Sequence, residues 1–227
     1  MSTTVHRPGA RPPGPARQPE RVWYAAYGSN MDPARLHHYL VGGRPPGSAR
    51  SCPGCREHRP PADSVPVELP GVLYFATESA VWGGGRAFYD PDAPDTPGGP
   101  VRMVARLITA RQFSDIAAQE MYRSPGTDLD LRSVIEEGRE ELGPGRYETL
   151  LCPGFLDGLP LLTFTAPWGY ADVAWNRPSA AYLRHLAAGL LTAGAWDAGD
   201  IARYLAAAPG AAGAWTPAAV TGLLAPS

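Results

Sequence analysis

Two places in this 227-residue sequence carry residue types whose spacing suits chemistry. The first is Tyr27-Gly28-Ser29-Asn30. It lies between an aromatic, apolar run from Val22 to Tyr27, which reads as a buried strand, and Asp32-Pro33, which reads as a helix start. The first turn of a helix has N–H groups without intrahelical partners, and that end carries partial positive charge. Glycine lets the backbone come close to a ligand, and Ser29 and Asn30 add short polar side chains. Such a turn can hold a carboxylate or a developing oxyanion. On pattern alone, an ordinary strand-to-helix turn reads the same way and is the commoner case.

The second is Glu120, in the predicted helix from Arg111 to Tyr122. At about 100° per residue, Phe113, Ile116, Ala117 and Met121 form one apolar stripe. Glu120 falls within about 20° of Phe113, whereas Asp115 and Gln119 fall on the opposite, solvated face. A carboxylate on the core side must be paired, or desolvation raises its pKa. A raised pKa suits a general acid or base working near neutrality. A structural Glu paired with a buried Arg, or one that bends to solvent at the helix end, fits the periodicity equally.

The elements that must position these groups are legible in outline. Residues 1–20, rich in Pro, Arg and Gly and without periodicity, predict a disordered tail. The first helix runs from Asp32-Pro33 to about Val41 and stops at Gly42-Gly43. Residues 43–66 read as a long loop. Leu69 to Thr77 and Gly85 to Tyr89 read as strands, with a Pro/Asp/Gly turn region over 90–100. Val101 to Ile108 is a further strand, and Thr109 caps the helix that carries Glu120. Residues 124–146 give no clear period. Tyr147 to Cys152 and Leu159 to Thr165 predict a hairpin around Asp157-Gly158. From Pro178 the pattern is helical, with Tyr182, Leu183, Leu186, Leu190 and Leu191 on one stripe. A second helix follows over 197–207, and one more is expected near Trp215. With no internal repeat and no clean linker, residues 21–227 read as one α+β domain.

Composition narrows the partners. A net charge of −2 without a basic cluster argues against nucleic-acid or membrane-surface binding. The basic residues are all Arg and scattered, which points to a GC-rich coding bias more than to an anion-binding face. Three cysteines do not make a disulfide framework, so a reduced cytoplasmic setting is expected. Neither a long apolar run nor a signal-peptide core is present, so neither a membrane span nor secretion is expected.

The two site signals, in this order, resemble the γ-glutamylcyclotransferase-like family. The tetrapeptide at 27–30, closing a strand that contains Trp23-Tyr24-Ala25-Ala26, is similar to that family's N-terminal motif. Trp82-Gly83-Gly84 resembles a further short motif, and the strand and helix ending in Gln119-Glu120 resemble those that deliver the family's catalytic glutamate. Pro178-Ser179 followed by Tyr182-Leu183 resembles the start of its late helix. The resemblance covers roughly residues 22–207. It implies a small, closed or nearly closed mixed β-barrel with flanking helices. It implies Glu120 as the catalytic acid/base, and Tyr27, Gly28, Ser29, Asn30, Trp82 and Gly83 as substrate-binding residues. The substrate would be a small γ-glutamyl compound, with no metal and no cofactor. The chain departs from compact members in its longer stretches 43–66 and 124–146. It also has Phe164 near where some relatives are expected to present a tyrosine hydroxyl.

The remaining features read as structural. Cys52-Pro53-Gly54-Cys55 with His58 is half a zinc site, and Cys152 and His185 have no motif spacing to complete it. No helix follows the cysteine pair to activate a thiol. Glu78, at a strand end, is the rival for the base. His37, His38 and His185 read as surface or core-edge residues, and Trp82 and Tyr122 as candidate pocket walls. No helix starts after Gly83-Gly84-Gly85, so it is not a nucleotide-binding loop. An amide hydrolase on the same scaffold and a non-catalytic binding module stand as alternatives to a cyclotransferase.

Overall fold

The Tyr24 strand is the middle of the architecture because every residue after its first is buried. In the computed structural model, which describes residues 3–45, 51–94 and 98–224, β1 (Arg21–Ala26) lies between two neighbours. It pairs antiparallel with β5 (Val101–Thr109), Tyr24 opposite Arg106, and parallel with β8 (Leu159–Thr165), Tyr24 opposite Leu162. β2 (Asp63–Leu69) pairs with the outer side of β5. On the other flank β7 (Thr149–Leu156) and β6 (Arg139–Glu141) extend the sheet, giving the order β2-β5-β1-β8-β7-β6. β3 (Val72–Ala76) and β4 (Arg86–Asp90) form a separate two-stranded ribbon.

A closed β-barrel is not what the strands build. The ribbon meets the sheet through a side chain instead of a ladder: the Thr165 hydroxyl accepts from the Tyr89 N–H at 3.2 Å and donates to the Tyr89 carbonyl at 2.6 Å. The outer edge of β3 is taken by loop backbone, with Phe75 N–H donating to Pro209 O. The ring is therefore open among the described residues, and the fold is mixed α+β.

Six helices surround these strands among the described residues: α1 (Pro33–Val41), α2 (Ala110–Glu120), α3 (Arg132–Glu137), α4 (Ala180–Ala193), α5 (Ala198–Ala207) and α6 (Pro217–Leu223). Thr109 caps α2 with a full capping box: its hydroxyl accepts from Gln112 N–H while Gln112 Oε1 accepts from Thr109 N–H. The Asp157-Gly158 turn has positive φ at both residues, 50° and 74°, as a two-residue hairpin of this hand requires. No helix among the described residues is long and apolar enough to cross a membrane.

Two expectations are corrected and one open stretch is filled. β2 begins inside the stretch 43–66 expected to be a loop and ends at Leu69, expected to start the next strand; the missed signal is the alternation of Val65, Val67 and Leu69, masked by Pro66 in an edge strand. Residues 46–50 of that stretch, and 95–97 of the turn region after β4, lie outside the described residues. The uncalled stretch 124–146 holds α3 and β6. Residues 3–20, expected as a disordered tail, lie along the sheet as a strap. His6 exchanges backbone hydrogen bonds with Pro66 and Glu68 of β2, and Gly9 with Phe155 of β7. Composition gave no period because an extended, proline-containing strap buries little of itself; the sheet's own backbone groups hold it.

Candidate functional site

β1, α1 and α2 meet at one cavity. After β1 the chain leaves the sheet through Gly28 and makes a single 3-10 turn over Ser29–Met31, then enters α1. Gly28 is extended (φ −108°), so its value here is space: a Cβ would sit 3.2 Å from the Tyr182 hydroxyl. The Gly28, Ser29 and Asn30 N–H groups have no acceptor among the turn and loop carbonyls of the described residues. They are the unpartnered donors that a strand-to-helix turn is expected to offer.

Glu120, the last residue of α2, reaches the same place. Its Oε1 accepts from Asn30 Nδ2 at 3.1 Å, and the same amide nitrogen lies 3.3 Å from the Tyr24 hydroxyl. Burial pushes the Glu120 carboxyl above its ordinary value. A Tyr39 hydroxyl hydrogen bond, the Arg35 charge, the Asn30 bond and the Arg86 charge all work against that rise without cancelling it. Asn30 is 3% exposed, and its Oδ1 has no partner. The cavity these groups share has a volume of about 90 Å³, where one water needs about 10–15 Å³. It is lined by Tyr27, Gly28, Ser29 and Asn30 on one side and Glu120 on another, with Trp82, Phe164 and Tyr182 as aromatic walls. Phe164 stacks on Tyr24 with ring centroids 5.4 Å apart, so the side chain without a hydroxyl packs the wall behind the turn.

Of the expected site residues, Tyr27, Gly28, Ser29, Asn30, Trp82 and Glu120 converge. Gly83 does not line the cavity. Tyr27 uses its hydroxyl structurally, donating to Phe164 O at 2.8 Å. Glu78, the rival base, is exposed. Its carboxylate accepts from Gly84 N–H and Asn176 Nδ2, which fixes the loop before β4 and leaves it no place in the cavity.

The turn that presents Asn30 is held from three directions. Arg106, from β5, donates to the Met31 carbonyl at 2.6 Å and to the Ser64 hydroxyl. Asp32 caps α1 through Ala34 N–H and is 2.7 Å from His185 Nδ1 on α4. Burial alone would raise the Asp32 carboxyl, but the His185 hydrogen bond and charge and the backbone donors outweigh it and hold the group below its ordinary value. His185 thus has a structural partner, and its ring leans on Trp82 with centroids 4.7 Å apart. Finally, Gly189 lets α4 lie directly on the turn: a Cβ there would be 2.6 Å from the Met31 carbonyl carbon and 2.7 Å from Asp32 N. Backbone cannot yield as a side-chain tip can. Gly189→Ala is expected to cost about 1–3 kcal/mol of stability and to displace Asn30. The check is thermal melting beside ligand binding: an unchanged melting temperature would show that the helix and turn separate freely.

Both polar residues assigned to the solvated face of α2 are buried, which corrects that reading. Asp115 is fully buried, accepting from Arg56 N–H at 2.8 Å and Arg56 Nε at 3.0 Å. Gln119 donates to the Tyr39 carbonyl at 3.0 Å. Loop residues 52–59 cover this face, so α2 is enclosed on both sides, and a one-sided wheel cannot reveal that. Cys55 belongs to the same cover: burial pushes its thiol up to about 12, and it donates to Tyr39 O. Among the described residues no group of His, Cys, Asp and Glu is placed to hold a metal ion.

Sequence reasoning missed Arg35, Tyr39 and Arg86, which all line the cavity. The signal was available for two of them. Arg35 and Tyr39 are four apart on α1 and share a face with buried Leu36 and Leu40, the same wheel argument that singled out Glu120.

No family model matches the chain. It is 33% identical over 189 residues to Histone deacetylase 5 of Arabidopsis thaliana, an alignment that covers 76% of this chain and 28% of that protein. The chain thus spans just over a quarter of the curated relative it matches. Among solved structures it is similar to the uncharacterized Homo sapiens protein loc79017, at 17% identity and a TM-score of 0.45. It is also similar to a gamma-glutamyl cyclotransferase, at 15% identity and a TM-score of 0.44. Each alignment covers 77% of this chain and 81% of the other.

Proposed function

We propose that the chain is a γ-glutamyl cyclotransferase that releases 5-oxoproline and a free amine from a γ-glutamyl amide. The observation that carries this reading is the convergence of a carboxylate raised by burial, Glu120, with the Tyr27–Asn30 turn in one small cavity, bridged by Asn30 at 3.1 Å. The substrate's α-amine attacks its own γ-carbonyl carbon. Because the step is intramolecular, the protein must mainly fold the substrate and manage protons. Glu120 takes a proton from the amine as the new C–N bond forms, and returns it to the leaving nitrogen as the amide bond breaks. The unpartnered N–H groups of Gly28, Ser29 and Asn30 hold the oxyanion in between. Asn30 Oδ1, buried and without a donor, is an acceptor suited to an N–H of the substrate's α-amine.

The test is a panel of γ-glutamyl amides with detection of 5-oxoproline. Free glutamate in its place would mean that water is the nucleophile, and no product of either kind would remove the reading. A pH dependence follows. Glu120 must be ionised to accept the proton, and its pKa lies above the ordinary carboxylate value of about 4.3 because of burial. The acidic limb of kcat/KM is therefore expected above that value, with activity rising as pH rises through it. A limb at the ordinary carboxylate value would show that burial does not set the base.

A further inference from the structure

Arg35 is 6% exposed, yet its Nε and Nη1 have no hydrogen-bond acceptor. Its guanidinium lies over the Tyr39 ring at 5.3 Å and the Trp82 ring at 5.2 Å, so aromatic faces hold the group in place. Arg86 lines the same cavity. One of its nitrogens donates to the Glu78 carbonyl, and its Nε is buried without a partner. An arginine cannot shed its charge to relieve burial. The carboxylate within reach of both charges is Glu120, which burial itself drives toward the neutral form. Two guanidiniums against one carboxylate leave a surplus positive charge at the cavity, costly at the buried Arg35 unless something anionic completes it. Arg35 also lines an adjoining cavity of about 310 Å³ that opens past Cys52 toward Arg123, so it stands where the two spaces join.

We propose that Arg35, backed by Arg86, binds a carboxylate of the substrate and so restricts the enzyme to γ-glutamyl compounds that carry one there. The inference rests on the cyclotransferase reading for its substrate class. Carboxylate is the matching chemistry because guanidinium N–H groups and carboxylate oxygens form short, charge-assisted hydrogen bonds. Two carboxylates can supply it: that of the glutamyl α-carbon, or that of a leaving amino acid lying in the adjoining cavity.

Calorimetry on the full chain separates them. In the Glu120→Gln background, in which turnover is expected to be slowed about 10²–10⁴-fold, three compounds are titrated with and without Arg35→Gln. They are γ-glutamyl-L-alanine, γ-glutamylethylamine, which lacks the leaving-group carboxylate, and 4-aminobutanoyl-L-alanine, which lacks the α-carboxylate. Arg35→Gln is expected to weaken γ-glutamyl-L-alanine by at least about 30-fold, the scale of a charge-assisted hydrogen bond. It should leave unchanged the one analogue without the carboxylate that Arg35 holds. That analogue names the source. Equal weakening of all three, or of none, overturns the subsite. Wild-type chain that binds γ-glutamyl-L-alanine and γ-glutamylethylamine but makes no 5-oxoproline from either overturns the cyclotransferase reading instead, and the calorimetry still decides the subsite.

Discussion

Replacing Glu120 with glutamine is expected to lower kcat by about 10²–10⁴-fold, the range for losing a positioned acid/base, with KM little changed. Glutamine keeps the length and the planar end, so its amide oxygen can still accept from Asn30 Nδ2, which Glu120 Oε1 meets at 3.1 Å. What is lost is proton transfer. Turnover within a few-fold of wild type would remove Glu120 from the chemistry. The same variant carries a stability signature with a fixed sign. The folded-state pKa of Glu120 is raised by burial, so below its unfolded pKa, about 4.3, the residue is protonated in both states and costs nothing. As pH rises through the folded value, ionisation is harder in the folded than in the unfolded chain, and stability is lost. Glutamine does not titrate. The variant is therefore expected to melt above wild type at pH 8 and level with it at pH 4, in parallel melts across that range. A variant that melts below wild type at pH 8 would mean that the Tyr39 and Asn30 hydrogen bonds outweigh the burial of the charge.

Arg56→Met is expected to destabilise the fold by about 3–5 kcal/mol, the cost of leaving the buried Asp115 carboxylate without its countercharge. Asp115 is fully buried, and the Arg56 side chain supplies its countercharge at 3.0 Å while the Arg56 N–H supplies a second bond. Methionine fills similar space and keeps the N–H, so the change removes the guanidinium, its charge and its hydrogen bonds, and leaves the backbone bond in place. At about 2–4 °C per kcal/mol for a chain of this size, the melting temperature should fall by on the order of 10 °C. Arg56 also bonds Gly126 O and Asp128, so the same loss frees the segment after α2 from the loop over it. A fall of less than about 3 °C would show that Asp115 is satisfied without the guanidinium and that the loop over α2 is held by other contacts, such as Gln112 Nε2 to the carbonyls of Glu57 and Arg59.

Pieces with a local cause are legible in the sequence. The strand before Gly28, the Asp32 cap, the Thr109 capping box and the Asp157-Gly158 hairpin are each set by residues within a few positions of one another, and all are present. The sequence also puts Glu120 on the inner side of its helix, because 3.6-residue periodicity needs no knowledge of the partner. The rest depends on packing between distant segments. Whether Asp115 meets water or Arg56 depends on a loop some sixty residues earlier in the chain, which lies over α2. Whether Arg35 is a solvated helix residue or a buried cation depends on Trp82 arriving from the loop before β4. Most strands are readable one at a time, β2 and β6 excepted, but their order is not, nor is the Thr165 contact that stands where a barrel would close. These outcomes turn on burial, and burial is a property of what a residue comes to face after the whole chain has packed; no window of neighbouring residues contains it.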